Sequence, residues 1–429
     1  MRLSNVKKRI SKKYQKLVNE YGKSAALKIG FSYGLYKVFP NTIIKIMRKL
    51  INKVDSHLLV FESKPDFADN GRALSDYMID NGYKDYKIVW LVENPKQFKQ
   101  YKTDNLKFVR SIGKNHKQRT IKAYYYALKA GFVFFTHAFK WVGKKQENQL
   151  YVNLWHGCGY KASRRDPNKK EDLNIFDFCL VPGEVFIKTK AEFFLCEEKQ
   201  ILPIGYPRYN LYKHDNPNID KYFESLGDKS RKNILWMPTF VQSKDLIHYQ
   251  NPIPSIIGLP LINSITDLDK LEKICADNNI NLIIKRHRIG SKIKNSDEEA
   301  SEGAHVFYLD NDKLDELDIQ LYELIARSDA LITDYSSVAI DYILLDKPLG
   351  FTLGDMEDYA KTRGFVFEDP RDYMPGEHMY NFEDLKIFIE NVSKGQDICK
   401  ELRNNVIDET HNKTDDYCKR ILDYFKINN

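Results

Sequence analysis

Three short stretches of this chain hold side chains suited to handling a phosphate: Trp155-His156-Gly157, Lys285-Arg286-His287-Arg288 and Thr333-Asp334-Tyr335-Ser336-Ser337. An imidazole titrates near neutrality, so His156 can take a proton from an attacking hydroxyl, and Lys161, Arg164 and Arg165 follow it closely. A structural histidine satisfied by its neighbours is the competing explanation. Lys285 to Arg288 places four cationic or potentially cationic groups in a row, which suits a pyrophosphate, or a solvated basic loop. Ser336 and Ser337 lie where the buried strand Ala330–Thr333 turns into a helix over Val338–Leu345. Free N–H groups and two hydroxyls there could hold phosphate oxygens, or one serine could simply cap the helix.

Alternating strands and helices must position these groups. Expected strands in the first half are Leu58–Phe61, Lys87–Val92, Phe132–Thr136, Val152–Leu154, Phe178–Val181 and Ile201–Pro203, with helices over Gly71–Asp80 and Asn115–Ala130. A second series has strands Asn233–Met237, Asn281–Lys285, Val306–Leu309, Ala330–Thr333 and Leu349–Thr352. Its helices cover Asp267–Asp277, Leu317–Arg327, Val338–Leu345, Phe382–Val392 and Asp415–Phe425. Such a βα rhythm implies parallel sheets with sites at the carboxyl ends of their strands. The expected fold class is α/β of the GT-B kind, two doubly wound Rossmann-like domains facing a cleft. Residues 55–212 form the N-terminal acceptor domain, 213–232 a polar linker, 233–400 the donor domain and 401–429 a C-terminal helix.

The 429 residues exceed one ordinary core and imply two domains. The net charge of +8 is uneven: residues 1–53 carry 14 Lys or Arg against Glu20, a local +13 that leaves −5 for the rest. Apolar residues at helical spacing among those lysines predict a basic amphipathic arm over residues 1–54 that lies on an anionic membrane surface, or folds back on the protein. Base-stacking aromatics are not interleaved with this basic run, which argues against nucleic acid. Six cysteines without a CxxC pair argue against a disulfide framework or structural zinc and fit a reducing cytosol. No secretory signal or bilayer-spanning apolar run is visible.

Three look-alike motifs fail. Gly22-Lys23-Ser24 lacks the earlier glycine of a P-loop, since Leu17 stands there, and no GxGxxG follows a strand. Asp310-Asn311-Asp312 could hold a metal, but it belongs to an acidic run better suited to starting a helix.

Taken in order, Asn153-Leu154-Trp155-His156-Gly157, Gly205-Tyr206-Pro207-Arg208, Met237-Pro238-Thr239, Ile284 to Arg288, Thr333 to Ser337, Arg363-Gly364-Phe365 and Pro375-Gly376 resemble the CDP-glycerol glycerophosphotransferases. The likeness covers residues 55–425. These enzymes prime and extend teichoic acids and related polyol-phosphate polymers. The resemblance implies a CDP-glycerol or other CDP-alditol donor, a polyol-phosphate or lipid-linked saccharide acceptor, CMP as leaving group, and a peripheral place on the inner face of the cell membrane. It implies His156 as general base and His287 as the group that holds the pyrophosphate. Ser336, Ser337, Asp334, Arg286, Arg288 and Thr239 would bind donor phosphates. Lys161, Arg164, Arg165, Arg208 and Arg363 would line the acceptor side. No cofactor or metal is required by the sequence, and whether a divalent ion assists is left open. The chain departs from the family pattern at Arg288, at Phe240-Val241 and at Tyr209-Asn210, so the alditol and acceptor stay open. A GT-B sugar transferase and a catalytically silent membrane-docking subunit are the alternatives.

Overall fold

The computed structural model describes residues 44–51, 53–113, 119–162, 175–238, 259–285 and 303–429. Its strands are β1 (Asp55–Glu62), β2 (Lys87–Val92), β3 (Leu106–Arg110), β4 (Ala130–Phe135), β5 (Leu150–Asn153), β6 (Phe178–Leu180) and β7 (Ile201–Leu202). There follow β8 (Lys232–Met237), β9 (Ile280–Lys285), β10 (Val306–Leu309), β11 (Ala330–Thr333), β12 (Leu349–Thr352) and β13 (Glu377–Met379). They form two sheets, ordered β3-β2-β1-β4-β5-β6-β7 and β10-β9-β8-β11-β12-β13. The fold is therefore α/β with two sheets, as the GT-B expectation requires. Every pairing in the six-stranded sheet is parallel.

The chain divides into two compact units. The first comprises residues 1–62, 85–133 and 139–150. Here Val60, Phe61, Val89 and Trp90 are fully buried, and the Phe61 and Trp90 rings stack at 5.3 Å. Glu62, at the end of β1, receives both guanidinium nitrogens of Arg119 at 2.7 and 2.8 Å, a bidentate pair. Residues 44–50 are helical. Ile44 is buried while Ile46 and Leu50, one turn apart, are 53% and 75% exposed beside the exposed Lys45 and Lys49.

The second unit comprises residues 63–84, 134–138 and 151–429. Ile234, Trp236, Leu282, Ile284 and Ile332 of its sheet pack on Leu385, Phe388 and Ile389 of the helix Phe382–Ser393. Asn381 starts that helix with a capping box closed by Asp384. The stretch expected to be a bare linker carries the helix Pro217–Ser225, started by Asn216 and Pro217 and seated through Ile219 and Tyr222. The helix expected over Leu317–Arg327 is shortened to Leu321–Arg327 and preceded by a separate one, Asn311–Glu316, with Asp318 between them at a left-handed φ of 49°. Asp310 caps the earlier helix through its carboxylate, which accepts from the Lys313 N–H at 2.8 Å. The carboxylate serves the helix, as the charge run implied. The helix expected from Asn115 runs over Ile121–Lys129, begun by Thr120.

Candidate active site

The loop after β5 is held by side chains that bond to its backbone. The Trp155 N–H donates to Asn153 Oδ1 at 2.9 Å. Asn70, fully buried, donates through Nδ2 to the carbonyls of Leu154 and Trp155 at 3.2 and 2.9 Å, and its Oδ1 accepts from the Arg208 N–H. These bonds keep Trp155 at φ 53°, a conformation that costs a bulky residue on the order of 1–3 kcal/mol and recurs at functional turns. Its ring is anchored edge-on against Phe194 at 4.9 Å, with the Lys190 ammonium 5.0 Å above it. The kink turns the next residue, His156, out to solvent.

His156 Nδ1 lies 3.0 Å from the Thr136 carbonyl. A carbonyl can only accept, so the neutral ring carries its proton on Nδ1, and Nε2 keeps a free lone pair. Among the described residues nothing in the protein bonds to Nε2. The ring stacks on His137 at 4.3 Å and 13° and leans on Trp155 at 3.9 Å. This crowding desolvates the imidazole and lowers its pKa to about 4. His137 and Lys190 push the same way, against the Thr136 hydrogen bond and Asp69. Water at the exposed face screens part of the effect, and the His156 ring is neutral at pH 7.

The turn after β11 meets this loop. Ser337 opens the helix Val338–Tyr342, yet its side chain makes no capping bond, so the cap explanation does not account for the hydroxyl. That helix is one turn followed by the 3-10 segment Ile343–Leu345, shorter than expected, so backbone N–H groups count here for more than a long dipole. Gly157 and Gly159 let the two turns touch. A Cβ on Gly159 would stand 2.9 Å from Ser337 Cα and 3.0 Å from its N, and a Cβ on Gly157 would collide with the Ser337 hydroxyl. Gly157 also holds φ 141°, which only glycine adopts readily.

Beneath both turns lies a buried ionic cluster. Arg208, 2% exposed, donates to Asp69 at 2.8 Å, to Asp341 at 2.6 Å and to the His156 carbonyl at 3.2 Å. Asp341 also accepts the Tyr209 and Tyr322 hydroxyls at 2.5 Å each, and its N–H donates to the Ser337 carbonyl. Burial pushes the Asp341 carboxyl up while the Arg208 charge pulls it back. One guanidinium thereby fastens the histidine loop to the helix that follows the serines.

Residues 44–423 match the family described as CDP-Glycerol:Poly(glycerophosphate) glycerophosphotransferase. The chain belongs to that family. It is 30% identical over 244 residues to a teichoic acid ribitol-phosphate primase of Bacillus spizizenii, covering 53% of this chain and 57% of that protein. It is 26% identical over 355 residues to a teichoic acid poly(glycerol phosphate) polymerase of Staphylococcus epidermidis, covering 76% of this chain and 44% of that one. The chain thus spans about half the length of these two relatives. A solved structure of the wall teichoic acid polymerase TagF superposes with a TM-score of 0.69 at 22% identity, covering 98% and 97% of the two chains.

In this glycerophosphotransferase family member the structure brings the loop after His156 against Ser337, and Asp334 of the same turn acts on the charge of Lys161. Lys161 bridges to Phe365, and burial lowers its pKa against the pull of Asp334. Arg363 donates through Nε to the Ala162 carbonyl at 3.2 Å, so it braces the same loop. Arg208 sits under the site, facing carboxylates. Thr239, Arg286, His287, Arg288, Arg164 and Arg165 lie outside the described residues. Sequence reasoning missed Asp69, Asn70, His137 and Asp341. Only Asp341 left a trace, as an acid on an otherwise apolar helix.

Proposed function

We propose that this protein transfers an alditol phosphate, glycerol phosphate or a close relative, from a CDP-alditol to an acceptor hydroxyl. The observation that supports this reading is the contact of the His156 loop, which carries an imidazole with a free lone pair, with the Ser337 turn, whose hydroxyl makes no capping bond. His156 Nε2 takes the acceptor proton as that oxygen bonds to the β-phosphorus. The bond from that phosphorus to the CMP oxygen breaks, and CMP leaves with the electron pair. Ser336 and Ser337 hold phosphate oxygens, with Asp334 placing their turn. His287, Arg286, Arg288 and Thr239 complete the donor cradle, and Lys161, Arg164, Arg165 and Arg363 line the acceptor side. Phosphoryl transfer needs positioning and charge stabilisation above all, which a base and a cationic cradle supply. The family's established chemistry supports this assignment, and the domain division at 55–212 and 233–400 goes with it.

The acceptor is a polyol-phosphate or lipid-linked saccharide on the inner membrane face, met through residues 1–54. Exposed Ile46 and Leu50 amid lysines support such docking. Binding to anionic vesicles that survives Ile46→Glu/Leu50→Glu unchanged would reject it. The reaction itself is tested by incubating the full chain with CDP-glycerol, CDP-ribitol and nucleotide sugars. CMP release with a new phosphodiester is the expected result, and a glycoside product overturns the reading. Full polymer synthesis by His156→Ala in cells would indicate a silent docking subunit instead.

A further inference from the structure

Thr136 and His137 directly follow strand β4, and both contact the proposed base. The Thr136 carbonyl takes the Nδ1 proton of His156. Thr136 Oγ1 accepts from the Lys64 N–H at 3.4 Å and lies 2.9 Å from His137 Nδ1. The hydroxyl is buried, and His137 Nδ1 is the acceptor within reach of its own proton, which places the His137 proton on Nε2. Two imidazoles then lie face to face, 4.3 Å apart and 13° from parallel, each with its tautomer set by the same threonine. Around them stand Asp69, which favours charge on either ring, Lys190, which opposes it on His156, and Lys64, which opposes it on His137.

We propose that His137 is a positioning residue for the transfer reaction. Its ring is the platform on which His156 lies, and the closeness of the two rings makes a second protonic charge on the pair costly. The platform fixes the plane of His156, so the Nε2 lone pair meets the acceptor hydroxyl at one angle rather than many. After proton uptake, the His156 imidazolium faces a neutral ring instead of a second cation. This rests on the reading of His156 as the base.

The test compares the full chain with His137→Phe, His137→Ala and His156→Ala, reading kcat, the donor KM and the pH profile of kcat/KM. His137→Phe keeps a flat ring but no charge, so kcat should stay within about threefold while the acid limb moves up by about half a pH unit. His137→Ala loses the platform, and kcat should drop about ten- to a hundredfold with the donor KM unchanged. Wild-type kcat and an unmoved acid limb in both variants overturn the proposal. A merely structural role would lower the amount of folded enzyme and leave the limb in place, which also counts against it. Should both variants fail to fold, the imidazole Cε1–H resonances of the wild-type chain decide: each ring's shift should follow the other's titration, and independent curves reject the pairing. CMP release by His156→Ala would sink the underlying reading. Its loss there, with normal His137 variants, sinks only this proposal.

Discussion

His156 and His411 share one electrostatic state and have opposite surroundings. Both are held below the usual imidazole range chiefly by desolvation, to about 4 and about 3. His411 is 3% exposed, pairs through Nδ1 with Thr410 Oγ1 at 2.9 Å, and keeps Nε2 buried with no partner. His156 spends Nδ1 on a backbone carbonyl and leaves Nε2 where a substrate could reach it. A depressed pKa therefore does not by itself mark a histidine as catalytic. What separates the two is a lone pair left open on a loop that meets a second polar turn: chemistry needs access, whereas packing needs only neutrality.

The sharpest attempt to break that contrast exchanges the losses. His156→Ala should cut kcat by about 10²–10⁴, the usual worth of a positioned base, without moving the melting temperature. His411→Asn should leave kcat within about twofold and cost about 1–3 kcal/mol of stability, the range for disturbing a buried polar group. If each variant showed the other's phenotype, the roles would be reversed. Arg208 tests the support between the turns. Replacing it with methionine strands Asp341 and should destabilise the second unit by about 3–5 kcal/mol, seen as an earlier denaturant midpoint. Because the same guanidinium holds the His156 carbonyl, kcat should fall in whatever enzyme stays folded. A stable, fully active Arg208→Met would show the cluster to be dispensable.

Acid sharpens the comparison on the stability side. His411 in the unfolded chain binds a proton below its ordinary pKa of 6.5, but in the folded protein only near 3. Stability is therefore complete above pH 6.5 and falls as pH drops towards 3, by about 1.4 kcal/mol per pH unit for one proton. His411→Asn should flatten the pH dependence of the urea midpoint by that one proton. An unchanged slope would mean that His411 titrates normally.

The strand rhythm and the two polar turns were legible because each is local: a buried run, then small or aromatic residues at its carboxyl end. Asp310 was legible as a helix start for the same reason. Strand β3 escaped because LKFVR is short and buries only Leu106 and Val109 well. The helix Pro217–Ser225 escaped because it buries only Ile219 and Tyr222. The cluster under the site escaped for a different cause. Arg208 meets Asp69 and Asp341 across 139 and 133 positions, and no periodicity encodes a partner so distant. The stacked histidines are likewise a product of β4 lying beside β5, where the Leu154 N–H bonds to the Phe135 carbonyl.

The smallest expected effect lies where the two turns touch. Gly159→Ala brings a methyl to within 2.9 Å of Ser337 Cα, and backbone on both sides leaves little to yield, so the serine turn must shift by a few tenths of an ångström. Donor KM should rise several-fold, roughly 1 kcal/mol, with kcat altered less, because the shift touches the proposed phosphate-binding turn and not His156 Nε2. Ser337→Ala removes the hydroxyl and should raise donor KM by a similar factor, since one hydrogen bond is worth about 1 kcal/mol. The double variant separates contact from coincidence. If the methyl acts by displacing the Ser337 hydroxyl, that loss is already counted in Ser337→Ala, and the two effects combine to less than their product. Full multiplicativity would mean that the glycine and the serine serve the donor independently, and that the meeting of the two turns does not organise the site.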